Sequence, residues 1–301
     1  MQFDGVLFFP VTPFSPSGAV DTAKLREHIE SRLEFGPGGV FPACGTGEFH
    51  ALDIDEVRAV VSTAVRAVDG RVPVIAGAGG PLGHARAAAR AAEQSGADAL
   101  LVLPPYLVKG PSDGLVAYVE DVAAASSLPV IMYHRANGSF TTDAVTRLAA
   151  NPKVIGFKDG VGDVGLAQEI VSAVAATGRT DFQFFNGLLT AELSQGAYRG
   201  LGMPLYSSAA FAMAPEIATA YHRAYIDNDE AARLRLLEGF YAPLVRLRDQ
   251  TPGFGVSLIK AGLRLDGFDA GSVRPPLVDP SETQLVELKG ILAAGRELVG
   301  S

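Results

Sequence analysis

The sequence predicts an α/β fold, a (β/α)8 TIM barrel with a C-terminal three-helix extension. Short apolar runs of strand type alternate with longer, Ala-rich segments of helical period. The alternation recurs eight times before Tyr225, and beyond that residue the strand-type runs stop while helical periodicity continues. Eight βα units at a recurring interval are the pattern of a closed parallel barrel. A doubly wound sheet, the alternative, usually has fewer strands.

The first apolar run is Gly5 to Val11, followed by a helical stretch from about Thr22 to Leu33. Gly39 to Ala43 is the second strand, and Asp53, a good N-cap, opens a helix from Ile54 to Val68. Strand-type runs at Val72 to Ala76 and Ala97 to Leu103 precede helices at Leu82 to Gln94 and Gly114 to Ser126. The second half repeats the scheme. Strands are expected at Leu128 to Tyr133, Val154 to Lys158, Phe182 to Phe185 and Pro204 to Tyr206. Their helices are expected at Thr142 to Ala150, Val164 to Ala176, Ala191 to Tyr198 and Pro215 to Tyr225. Three further helices, Glu230 to Arg248, Val256 to Leu265 and Glu282 to Leu298, form the extension. No low-complexity linker intervenes, so residues 1–226 are assigned to the catalytic barrel and 227–301 to an appendage packed on it.

Of the 301 residues 48% are hydrophobic, ample for a sizeable core, and only 19% are charged, which suits many fully buried strands. Net charge is -8 and no run of Lys and Arg forms a basic stripe, which argues against nucleic acid as a partner. A single cysteine, Cys44, excludes an internal disulfide and fits a reducing cytosol. The N-terminus lacks the positive stretch of a signal peptide, and no apolar run approaches the roughly 20 residues of a membrane helix. A cytoplasmic protein without membrane contact is expected.

In such barrels the chemistry sits at the C-terminal ends of the strands. The sixth strand ends Val154-Ile155-Gly156-Phe157-Lys158 and runs into Asp159-Gly160-Val161-Gly162-Asp163. An ammonium at the end of a buried strand loses hydration, which favours the neutral amine, the form that attacks a ketone to make a Schiff base. The plain alternative is a lysine that reaches solvent or pairs with Asp159. The second strand ends in Cys44-Gly45-Thr46-Gly47, whose glycines let backbone N–H groups approach an anion; an ordinary tight turn reads the same way. The fifth ends Tyr133-His134-Arg135, offering a phenol for proton transfer and a guanidinium fork for a carboxylate. Asn186 after the seventh strand, with Ser207 and Ser208 after the eighth, can hydrogen-bond a polar substrate. Five histidines without a close His/Asp/Glu cluster predict no metal site, and His50 and His134 read as structural or surface residues. Cys44 reads as a small buried residue, and Lys260 and Arg274 as structural.

The convergence of a strand-six lysine, a strand-five tyrosine and a strand-two Gly-Thr-Gly resembles the dihydrodipicolinate synthase and N-acetylneuraminate lyase superfamily of class I Schiff-base barrels. Phe9-Pro10-Val11-Thr12-Pro13-Phe14, Cys44 to Phe49, Gly156 to Asp163, Tyr206 to Ala209 and Val273-Arg274-Pro275-Pro276-Leu277 carry the resemblance. It covers nearly the whole chain. Within the superfamily it is greatest to the branch that dehydrates and decarboxylates 5-dehydro-4-deoxyglucarate. Synthases carry two adjacent threonines where this chain has Gly45-Thr46, and paired tyrosines where it has Tyr106-Leu107, so their hydroxyl relay is absent here. The dehydratase branch usually has Asn after the tyrosine, where this chain has His134.

The resemblance implies that Lys158 forms the imine, that Tyr133 moves protons, and that Gly45, Thr46 and Gly47 hold the keto-acid carboxylate. Arg135, Asn186, Ser207 and Ser208 would serve the hydroxyls and the second carboxylate. It implies a small sugar-acid substrate, no metal or organic cofactor, and a homotetramer or homodimer. An aldolase cleaving a 2-keto-3-deoxy sugar acid with the same lysine and tyrosine is one alternative. A barrel that binds a keto acid without turnover is another, and the intact Lys158 and Tyr133 weigh against it.

Overall fold

A computed structural model describes residues 1 and 3–300. Gln2, in the N-terminal stretch, and Ser301, the last residue of the predicted extension, lie outside the described residues.

The described residues form eight parallel strands: β1 (Leu7–Phe8), β2 (Gly39–Val40), β3 (Ile75–Gly80), β4 (Ala99–Pro105), β5 (Val130–His134), β6 (Val154–Asp159), β7 (Gln183–Asn186) and β8 (Leu205–Ser208). Their order is β2-β1-β8-β7-β6-β5-β4-β3. The ring closes between its two ends through a parallel bridge from Val40 to Val74, where the Val40 N–H donates to the Pro73 carbonyl at 2.9 Å. This is the predicted TIM barrel. Helices α1 (Thr22–Leu33), α2 (Ile54–Val68), α3 (Leu82–Gln94), α4 (Ser112–Ala124), α5 (Thr142–Ala149) and α6 (Val164–Ala176) follow the first six strands. A 3-10 turn (Ala191–Leu193) and α7 (Gln195–Gly200) follow β7, and α8 (Ala210–Met213) and α9 (Pro215–Ile226) follow β8.

Local chemistry explains the boundaries. Asp53 caps α2 in a reciprocal box with Glu56, worth about 1 kcal/mol. The third strand lies further along than Val72 to Ala76 because its Gly-rich end, which reads as a chain breaker, stays extended. A Cβ on Gly77 would sit 1.9 Å from the Ala43 carbonyl oxygen, and one on Gly79 would sit 2.5 Å from the Leu103 Cβ. The close approach of neighbouring strands, not flexibility, requires glycine there. The helix expected from Ala191 to Tyr198 is divided into the 3-10 turn and α7.

The extension comprises α10 (Glu230–Leu236), a π-helical turn (Leu237–Tyr241), α11 (Ala242–Arg248), α12 (Phe254–Leu265) and α13 (Glu282–Val299). The predicted helix from Glu230 to Arg248 is thus interrupted by a π turn, which seats Phe240 and Tyr241 in the core. Barrel and extension share one hydrophobic core that includes Phe8, Phe157 and Tyr221 as well as Leu258 and Leu288. Inside the barrel Phe9 stacks on Phe41, with ring centroids 4.5 Å apart. No described helix is long and apolar enough to cross a membrane.

Candidate active site

Strand register decides which side chains meet. Tyr133 on β5 pairs with Lys158 on β6, which pairs with Phe185 on β7. The next row is His134, Asp159 and Asn186. Successive side chains in a strand face opposite sides, so the first row points into the barrel and the second outward. Lys158 and Tyr133 therefore share the mouth of the barrel, with the Lys158 Nζ 3.9 Å from the Tyr133 ring centroid and 5.3 Å from that of Phe9.

Lys158 is buried, with 4% of its surface exposed. It does not pair with Asp159. That carboxylate faces the other way, accepting from the Tyr198 hydroxyl and from the N–H groups of Val161 (2.9 Å) and Gly162 (3.3 Å), and so holds the turn that follows β6. Burial is the largest influence on the Lys158 ammonium and lowers its pKa below the ordinary lysine value; Tyr133 opposes the shift and Arg135 adds to it. Burial alone would raise the Tyr133 phenol, but the charges of Lys158 and Arg135 and the hydrogen bond from Arg135 outweigh it, and its pKa falls. The phenol hydroxyl donates to the Gly187 carbonyl and accepts from the Arg135 guanidinium, both at 2.9 Å. Lys158 and Arg135 thus favour the phenolate of Tyr133, while burial, against the opposing pull of Tyr133, favours the neutral amine of Lys158.

A cavity of about 700 Å3 opens above this pair. Gly45, Thr46, Tyr133, Arg135, Lys158 and Ser207 line it. The N–H groups of Gly45, Thr46 and Gly47 donate to no described residue, while the Thr12 hydroxyl anchors the turn by donating to the Gly47 carbonyl at 2.7 Å. Ala43 (φ 51) and Glu48 (φ 55) bracket the turn in the left-handed region. For residues other than glycine that conformation persists only where surrounding contacts impose it. Cys44 is fully buried behind the turn, and burial pushes its thiol up to about 12, which leaves it unreactive.

Three expected substrate residues lie elsewhere. Asn186 belongs to the outward row, and its amide nitrogen donates to the Ala191 carbonyl, the Ser194 hydroxyl and Gln195 Oε1 while its oxygen accepts from the Leu188 N–H. That network leaves the side chain no direction toward the cavity. Ser208, fully buried, donates to Glu192 and accepts from the Phe211 N–H; its neighbour Ser207 takes the inward place on β8. Gly47 is buried and does not form part of the cavity wall. His134 is likewise outward, its Nδ1 accepting from the Phe140 N–H at 2.9 Å, whereas the exposed His50 reaches the cavity rim.

Sequence reading missed the far wall, which comes from the extension. Arg248 and the segment from Thr251 to Val256 face the cavity, and Arg248 donates to Thr190 Oγ1 and to Asp249, each at 2.8 Å. It also missed Gly187. A Cβ there would lie 2.6 Å from the Lys158 Nζ. Gly187→Ala is expected to displace the amine by about an ångström and lower kcat by roughly 10²-fold with the fold kept, as checked by steady-state rates beside circular dichroism.

Glu192, the partner of Ser208, is fully buried, and burial raises its pKa to about 7 against the partial opposition of its hydrogen bonds. A carboxyl whose folded pKa exceeds its unfolded one stabilises most below the unfolded value, and that contribution is lost as pH rises through the folded pKa. Unfolding free energy should therefore fall by about 3 kcal/mol between pH 4.5 and 7 on this account. Denaturant melts across that range should show Glu192→Gln without this part of the slope; an unchanged slope would count against the assignment.

Comparison with known proteins places the chain. The family model described as the dihydrodipicolinate synthetase family matches residues 2–295. A Streptomyces coelicolor protein named "Probable 5-dehydro-4-deoxyglucarate dehydratase 1" is 51% identical over 296 residues, covering 98% of this chain and 94% of that protein. A Paracidovorax citrulli protein of the same probable activity is 41% identical over 289 residues, covering 96% and 94% respectively. The crystal structure of dihydrodipicolinate synthase from Oceanobacillus iheyensis superimposes with a TM-score of 0.90 at 25% identity, covering 98% of this chain and 97% of that one. With nearly its whole length matched in sequence and in fold, the chain belongs to the dihydrodipicolinate synthetase family.

Proposed function

We propose that this protein is a carbon–oxygen lyase that converts 5-dehydro-4-deoxyglucarate to 2,5-dioxopentanoate, water and CO2 through an imine on Lys158. The observation that carries the reading is the buried Lys158 amine packed on the Tyr133 phenol at the foot of an open cavity. The full-length relatives named for this dehydratase direct the choice of substrate.

The substrate has a ketone beside one carboxylate, then a CH2 and two hydroxyl-bearing carbons before the second carboxylate. Lys158 adds to the ketone, water leaves, and the resulting iminium acidifies the adjacent CH2. Loss of a proton there and expulsion of the β-hydroxyl as water give a conjugated iminium. The carbon bearing the far carboxylate is now in conjugation with this electron sink. Its C–C bond to the carboxylate breaks, CO2 leaves, and the electron pair moves to the iminium nitrogen. Reprotonation and hydrolysis return Lys158 and release the keto aldehyde.

Tyr133 is assigned the proton transfers at the carbinolamine and the leaving hydroxyl. The Thr46 hydroxyl with the amides of Gly45 and Thr46 is assigned the keto-acid carboxylate, as charge-assisted hydrogen bonds largely from backbone donors. Arg135 and Arg248 supply positive charge on the cavity wall for the second carboxylate, and Ser207 pairs with a substrate hydroxyl. The exposed apolar run Tyr106-Leu107-Val108 beyond β4 supports association into a homodimer or homotetramer. The buried, single Cys44 supports a cytoplasmic setting.

The test is product analysis of purified protein with 5-dehydro-4-deoxyglucarate. Equimolar CO2 and 2,5-dioxopentanoate are expected. Pyruvate and a three-carbon aldehyde without CO2 would make the protein an aldolase instead.

A further inference from the structure

We propose that the C-terminal extension positions the carboxylate-binding turn through a buried ion pair between Glu48 and Lys260, which makes the extension a working part of the site. The inference rests on the reading of Gly45–Gly47 as the carboxylate-binding turn.

Glu48 is the residue that ends the turn. Its carboxylate lies 2.7 Å from the Lys260 Nζ, and both side chains are wholly inaccessible. Lys260 comes from α12, far along the chain, and also donates to the Ser272 carbonyl at 3.0 Å and lies over the Phe14 ring at 4.0 Å. The second Glu48 oxygen accepts the Arg274 N–H at 2.8 Å. The Arg274 guanidinium then donates to the Ala51 carbonyl at 2.7 Å and to both Glu56 oxygens. Two segments of the extension therefore grip the one residue whose left-handed backbone closes the turn.

Sign of charge matters as much as shape. A bare carboxylate at Glu48 would stand in a low-dielectric surrounding directly after amides that are to receive a carboxylate. Lys260 cancels that charge. Neither residue lines the cavity or meets the substrate, so both are positioning residues.

Pyruvate, the simplest 2-keto acid, serves as probe, with borohydride trapping on Lys158 read by intact mass as a function of pyruvate concentration. Lys260→Met is expected to raise the half-saturating concentration ten-fold or more, while kcat at saturating sugar acid stays within three-fold. Adding Glu48→Gln should bring half-saturation back to within three-fold of wild type, since the pair is again neutral and the introduced amide oxygen still accepts from the Arg274 N–H. A pair that only held the fold together would leave half-saturation unchanged in every variant that folds, even where stability falls and is restored by the second substitution. Should Lys260→Met be too unstable to purify, Glu48→Gln alone reads the same coupling with opposite sign. The uncancelled Lys260 charge should then lower half-saturation three-fold or more. Unchanged half-saturation in Lys260→Met, no rescue in the double variant, or unchanged half-saturation in Glu48→Gln would each overturn the proposal. If wild type traps no keto acid at all, the imine reading itself falls and this inference with it, an outcome distinct from the others.

Discussion

Lys158→Met should lower kcat by on the order of 10⁴-fold or more, because among the described residues no other lysine lines the cavity. Methionine keeps an unbranched side chain of similar length in a site packed against Tyr133 and Phe9, so the fold should survive. The buried position that stabilises the neutral amine also sets the pH dependence. Burial lowers the Lys158 pKa, so the rate of imine formation should rise with pH to a plateau whose midpoint lies below the ordinary lysine value of 10.5. Stopped-time borohydride trapping at a series of pH values reads this midpoint. Full activity in Lys158→Met would remove covalent catalysis from the account.

Tyr133→Phe should cost about 10²- to 10⁴-fold in kcat, the usual contribution of a positioned proton carrier. The phenylalanine ring keeps the face on which Lys158 rests. What disappears is the hydroxyl that donates to Gly187 and accepts from Arg135. Because the loss is one of proton transfer rather than of the amine, the variant should reach nearly the same final amount of trapped imine, only more slowly. A variant with wild-type rates would show that the phenol merely packs. A variant unable to form imine at any time would show that it holds Lys158 in place.

How far the site was legible in the sequence follows from strand geometry. Lys158, Tyr133 and the Gly45–Gly47 turn stood out because each sits at a strand end beside residues of distinctive chemistry. Asn186 and Ser208 also sit at strand ends, but on the outward parity. Taking Lys158 as inward and pairing the strands in register assigns Asn186 to the outer row, so alternation would have corrected the expectation had registers been known. For Ser207 and Ser208, adjacent and chemically identical, only the pairing of β8 with its neighbours decides which one faces the cavity. Arg248, Gly187 and the grip of Lys260 on Glu48 depend on contacts between residues distant in the chain. No local pattern marks them. The barrel itself was readable because its period is local, and its errors fell where tertiary crowding overrides residue preference, as in the glycine-built end of β3.

The most direct measurement is borohydride trapping with 5-dehydro-4-deoxyglucarate, followed by intact and peptide mass analysis. A reduced adduct is expected on the peptide holding Lys158, lighter than the adduct of intact substrate by the mass of water and CO2. An adduct of pyruvate mass would contradict the dehydratase chemistry, and the absence of any adduct would contradict the imine at its centre.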